Sequence, residues 1–173
     1  PGSQPFIHYS EPGSLNRGIA AKRGDPLMEE VLGVVDNQPK IAPMAELDKK
    51  GNTYVIPELV ILDTNVPDMN LQVIVNNPAA IRRRFIYVKP TVKEEFRLDG
   101  TPAIDSKRSF ESDRPILDRW KFEVSLMIPQ DNKKSNKVTL LSNGEIGEFV
   151  ALLKKMSSDH IESQDRRLAI GTK

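Results

Sequence analysis

"RWKFEVSLMI", residues 119–128, is the stretch whose reading decides the fold. Trp120, Phe122, Val124, Leu126 and Ile128 fall on alternate positions, with Arg119, Lys121, Glu123 and Ser125 between them. Side chains on a strand point to opposite faces with a period of two, so the pattern predicts a half-buried antiparallel strand. A polar turn, "PQDNKKSN" (129–136), follows, and "KVTLLS" (137–142) reads as the returning arm of a hairpin. Ser142 and Glu145 then have capping-box spacing ahead of Ile146, Phe149, Val150, Leu153 and Met156, which recur at helical intervals. The expected element is an amphipathic helix over 145–156 laid on the sheet, with Gly147 marking a close helix–sheet approach.

Upstream, "TYVIPELVIL" (53–62) and "LQVIVN" (71–76) are rich in β-branched residues and bounded by turn clusters, so both read as strands. Pro57 has no N–H to give to a ladder, which makes the first an edge strand or splits it at a bulge. Asp25-Pro26 followed by Leu27, Met28, Val31, Leu32 and Val35 predicts a short capped helix at 26–35. Residues 1–24 are broken by glycine, proline and serine and read as an irregular arm. Phe6, Ile7 and Tyr9 are its anchors on a neighbour, and Pro1-Gly2-Ser3 reads as an expression scar. Residues 90–118 read as a long loop with a short strand near 95–98, and residues 157–173 as a polar tail that either extends the helix or frays. The fold class is therefore α+β: a mainly antiparallel β-sheet or partial barrel, with one helix before it and one after. Residues 25–156 are expected to form a single globular domain.

This plan, a sheet closing with a hairpin and an amphipathic helix, resembles that of pleckstrin-homology-like modules. The closing helix carries Phe149 where that family usually has a tryptophan. The resemblance implies a phosphoinositide or other lipid-headgroup site.

Composition narrows the function classes. A chain of 173 residues suits one domain with tails. The net charge of +1 conceals a basic middle: residues 81–121 hold 11 basic and 7 acidic side chains, whereas residues 1–80 hold 6 and 10. That excess is small for a dedicated nucleic-acid domain. Cysteine is absent, which excludes disulfides, thiolate nucleophiles and sulfur-ligated metal. His8 and His160 are the only histidines and neither has a second beside it, so both are expected to be solvated, with no metal site and no Ser-His-Asp relay. Neither GxGxxG nor GxxxxGK[ST] occurs, and no cofactor or small-molecule substrate is implied. No apolar run reaches the roughly 18 residues of a membrane span, no leader is visible, and no Asn-x-Ser/Thr site occurs. The expectation is a non-enzyme, intracellular in cytoplasm or nucleus or inside a virion, neither secreted nor transmembrane.

The sharpest functional handle is "AAIRRRFIYVKP" (79–90). Read as a strand at 82–89, it puts Arg83, Phe85, Tyr87 and Lys89 on one face, while Arg82, Arg84, Ile86 and Val88 lie on the other. Ile86 and Val88 suit a core. The opposite face pairs rings with cations, as single-stranded nucleic-acid binders do when bases stack and phosphates are held. Equally, arginine stems cover apolar surface and cations guard exposed edges. Lys133, Lys134 and Lys137 sit at the hairpin tip, where they could touch phosphates or simply be solvated. The leading reading is a non-catalytic assembly or protein-binding module, such as a structural component of a viral or nucleoprotein particle. Its partner would be another protein or a second copy. Single-stranded RNA binding through Arg82, Arg83, Arg84, Phe85, Tyr87 and Lys89 is the alternative, and a membrane headgroup the third.

Overall fold

The computed structural model describes residues 6–36, 40–41, 54–55, 57–129 and 136–171. They belong to two compact units that divide between Arg84 and Phe85. The class is α+β, with six α-helices and no closed barrel among the described residues.

In the first unit, β1 (Phe6–Ser10) pairs in parallel with β4 (Leu59–Asp63), Phe6 opposite Leu59 and Ser10 opposite Asp63. Between them run α1 (Arg17–Arg23), α2 (Pro26–Val35) and the small antiparallel pair β2 (Lys40–Ile41) and β3 (Tyr54–Val55). After β4 come α3 (Leu71–Ile74) and α4 (Pro78–Arg82). Tyr9, Ala20, Met28, Val31, Met69 and Leu71 are its buried apolar residues. The helix expected at 26–35 forms with those bounds because its cap works as read: the Asp25 carboxylate accepts from the Leu27 and Met28 amides at 3.1 and 3.2 Å, and Pro26 occupies the first turn.

Two local expectations give way to long-range packing here, and a third, the split at Pro57, is met. Residues 6–10 and 17–23 form a strand and a helix instead of an irregular arm, because the partner of Phe6, Ile7 and Tyr9 lies far along the chain in β4. Gly13 makes this possible: it has φ +73°, and a Cβ on it would fall 2.4 Å from the Met69 carbonyl oxygen. The stretch 71–76 holds the helix α3 rather than a strand, since Asn70 is left-handed at φ 53° and donates to the carbonyls of Gly13 and Leu15, turning Leu71 inward. The run 53–62 is divided near Pro57, its two halves joining different sheets.

The second unit is a three-stranded antiparallel sheet in the order β5 (Ile86–Val92), β6 (Trp120–Pro129), β7 (Asn136–Gly144), followed by α6 (Ile146–Gly171). Val124 on the central strand is fully buried, and Val92 and Phe96 are also in this core. Phe122 stacks on Phe149 with ring centroids 4.8 Å apart, fixing α6 on the Phe122 face of the sheet. Because α6 lies chiefly over β6 and β7, the edge strand β5 is less covered, and Ile86 and Val88 remain exposed rather than entering the core expected for them.

The capping box does not form. Strand β7 runs on through Ser142 to Gly144, and the carbonyl of Glu145 starts the helical ladder by accepting from Phe149. The Glu145 carboxylate turns instead to Lys93, 2.5 Å away. The helix runs beyond Met156 to Gly171, 26 residues or about 39 Å, so the polar stretch takes the first of its two expected forms and extends the helix. Gly147 does not mark a close approach, since a Cβ there would meet nothing within 4 Å. Gly147→Ala is accordingly expected to raise stability by about 0.4–1 kcal/mol, measured as a higher urea midpoint, because alanine narrows the unfolded ensemble without a clash.

Candidate interaction surfaces

The arginine run does not share one strand with the aromatic residues that follow it. Asn77 caps α4 through its side chain and Pro78 opens the helix, so Arg82 is its last helical residue and Arg83 its C-cap. Strand β5 begins only at Ile86. The face that was to combine Arg83, Phe85, Tyr87 and Lys89 is therefore broken between Arg84 and Phe85. Asp68 takes the Arg82 guanidinium, and Asp36 takes that of Arg84 at 3.3 Å. Arg83 is exposed. Phe85 and Tyr87 are both half-buried and meet edge to face at 6.4 Å, while Lys89 is exposed on β5 opposite Glu123. Lys137 is exposed near the start of β7, and Lys133 and Lys134 lie outside the described residues.

A different segment of the second unit is built more firmly than a loop. Residues 93–119 leave the sheet at β5 and return at β6, closed at the base by the Lys93 amide donating to the Arg119 carbonyl at 2.9 Å. Short 3₁₀ turns at Glu94–Phe96 and Ile116–Arg119 flank the helix α5 (Ser106–Phe110), which Asp105 caps by accepting from the Lys107 and Arg108 amides. Near 95–98 the chain makes a turn and one bridge, Arg97 to Ile104, in place of a strand. Arginines hold the excursion. Arg97 donates to the Val92 carbonyl at 2.9 Å, and Arg108 to the Arg97 carbonyl and the Asp99 carboxylate. Arg119 donates to the Ser109 hydroxyl and to the carbonyls of Ser112 and Arg114. The guanidinium carbons of Arg114 and Arg119 each lie 6.0 Å from the centre of the buried Phe96 ring.

This anchored segment presents apolar side chains to solvent. Phe110 at the end of α5 is 90% exposed, with Ile116 at 68% and Leu117 at 55%. Sequence reading passed over Phe110, because a lone aromatic between polar residues has no periodic signature. The Asp105 cap followed by "SKRSF" was the available clue.

Lys93 is buried, and its ammonium reaches the exposed carboxylate of Glu145, joining the end of β5 to the start of α6. The hydrogen bond from Lys93, and then its charge, hold the Glu145 carboxyl below the usual glutamate range. A lowered folded-state pKa adds stability that is present above the unfolded value and lost as pH falls through the folded one. The expected result is that Glu145→Gln unfolds at lower urea than wild type near neutral pH, with the two midpoints converging in acid below the ordinary glutamate range. A gap that persisted there would contradict the ion-pair origin.

In the first unit, Asp63 accepts from the His8 ring and, at 3.1 Å, from the Ser10 hydroxyl. The histidine is half-exposed and its proton partner is the carboxylate, so serine and histidine are not in nucleophile–base contact. His160 is exposed on α6. No group of three or more His, Cys, Asp or Glu able to hold a metal ion occurs among the described residues.

No family model matches the chain, and no solved structure matches it. A stretch of 61 residues, 35% of the chain, is 39% identical to part of the genome polyprotein of Human parechovirus 2 (strain Williamson). The matched region spans 3% of that polyprotein's length. No helix among the described residues is long and apolar enough to cross a membrane.

Proposed function

We propose that the chain is a non-catalytic assembly or protein-binding module from a viral polyprotein, acting in or with the virus particle. The observation that carries this reading is Phe110, an aromatic side chain 90% exposed on a helix that an arginine network holds in place. Exposed aromatics on a fixed scaffold are typical anchors of protein interfaces, since burying one ring removes a large apolar area from water at little entropic cost. Ile116 and Leu117 extend the apolar character of the same excursion, and the likeness to a viral polyprotein supplies the setting. The arginine run gives less support to RNA binding, because Arg82 and Arg84 already neutralise Asp68 and Asp36.

Phe110→Asp tests the reading. The variant should fold as wild type, because the ring buries almost nothing in the free chain. In size-exclusion chromatography with the other products of its own viral polyprotein, wild type should co-elute with at least one of them, and Phe110→Asp should lose at least about tenfold in affinity. Co-elution that F110D leaves intact, or none with any product, would overturn it.

A further inference from the structure

We propose that β7 is a self-pairing edge through which two copies of this chain join antiparallel about a two-fold axis at Thr139, making one six-stranded sheet. This rests on the reading of the chain as an assembly module and adds a second copy of the chain to its partners, through a surface other than that of Phe110. Among the described residues β7 has β6 on one side and no strand on the other, and below its bulge at Leu141, from Asn136 to Leu140, alternate backbone N–H and C=O groups face outward. Edges of this kind are usually guarded by proline or charge. On β5, the opposite edge of the same sheet, Pro90 and the exposed Lys89 do this, whereas β7 has neither from Val138 to Leu140, its bulge lying beyond them at Leu141.

The strand is also complementary to itself. With Thr139 on the axis, position 138 of one copy faces position 140 of the other. Val138 and Leu140, which are 59% and 58% exposed on one face of the sheet, would then cover each other's counterparts twice per dimer. Lys137 would lie beside the bulge at Leu141 of the other copy and never against its own counterpart, so no like charges meet. A two-fold axis normal to the sheet also leaves both α6 helices on the same face of the joined sheet, as an isologous pair requires. Pairing β7 with the β5 edge of another copy is disfavoured, because Pro90 lacks the donor that a continuous ladder needs.

Charge placement reads out the register. Light scattering over a concentration series should give wild type a mass approaching twice 19.4 kDa. V138K/L140K sets like charges opposite at both sites and should weaken association at least about a hundredfold. V138K/L140E sets opposite charges at the same sites and should restore the dimer, more strongly at low salt. Because the chain has no cysteine, Thr139→Cys introduces a single thiol that should cross-link to a covalent dimer on oxidation, whereas Ser157→Cys should not. A wild type that stays monomeric and T139C without a cross-link would overturn the proposal. So would V138K/L140E as monomeric as V138K/L140K, or β7 amides protected only when a different polyprotein product is added. The last result would leave the assembly reading standing, and the separate loss expected of F110D tells the two failures apart.

Discussion

Leu71→Ala is expected to destabilise the first unit by about 2–5 kcal/mol in urea or thermal unfolding, the usual cost of emptying a fully buried leucine site. The size of the effect follows from where Leu71 sits. Met69 and Asn70 carry the chain through left-handed conformations, Asn70 is tied to the carbonyls of Gly13 and Leu15, and Leu71 is driven completely out of solvent. Few neighbours can move into the space, because the backbone of Met69 already touches that of Gly13 closely. Val73 is only half-buried in the same short helix, so Val73→Ala should cost at least about 1 kcal/mol less. A strand over 71–76 would instead place Leu71, Val73 and Val75 on one face and make the two losses similar. Equal losses would therefore contradict the helical assignment of this segment.

Arg119→Ala should destabilise the second unit by about 2–3 kcal/mol, the range expected when hydrogen bonds from a charged donor are removed. Its guanidinium serves the Ser109 hydroxyl and two carbonyls, Ser112 and Arg114, while lying over the Phe96 ring. Without it the return path from α5 to β6 has no common tether. Amide exchange across residues 106–116 should then accelerate by about tenfold or more while the β6–β7 ladder keeps its protection, because local opening follows local contacts. Uniform acceleration of the whole unit would show that the arginine supports the sheet itself and not the segment bearing Phe110. Loss of partner affinity should accompany local loosening, since a ring on a mobile segment must be ordered on binding.

The elements that could be read from sequence are those whose stabilising partners lie nearby. Helix α2 and strands β6 and β7 appear where the Asp25-Pro26 cap and the alternation from Trp120 to Ile128 put them, and α6 begins one residue later than expected. Their signals are periodicity, capping and a hairpin. The misread elements depend on distant partners. Strand β1 is defined by β4, and α3 by the contact of Asn70 with Gly13 and Leu15. The arginine run was read as a strand from the β-branched and aromatic residues after it, yet Asn77-Pro78 is a helix start that deserved equal weight. The apolar residues of 93–119 carried no periodicity at all, so neither the arginine scaffold nor Phe110 could be found from pattern.

The two units also differ in how far their ends must travel to meet. His8 and Asp63 are 55 residues apart along the chain, and the β1–β4 ladder beside them cannot close until that whole span has been synthesised. Strands β6 and β7 are neighbours in sequence and pair across a short span of chain, with α6 following directly. Search entropy rises with the length of chain to be closed, so during refolding the C-terminal unit should reach its native topology first and the N-terminal one should set the overall pace.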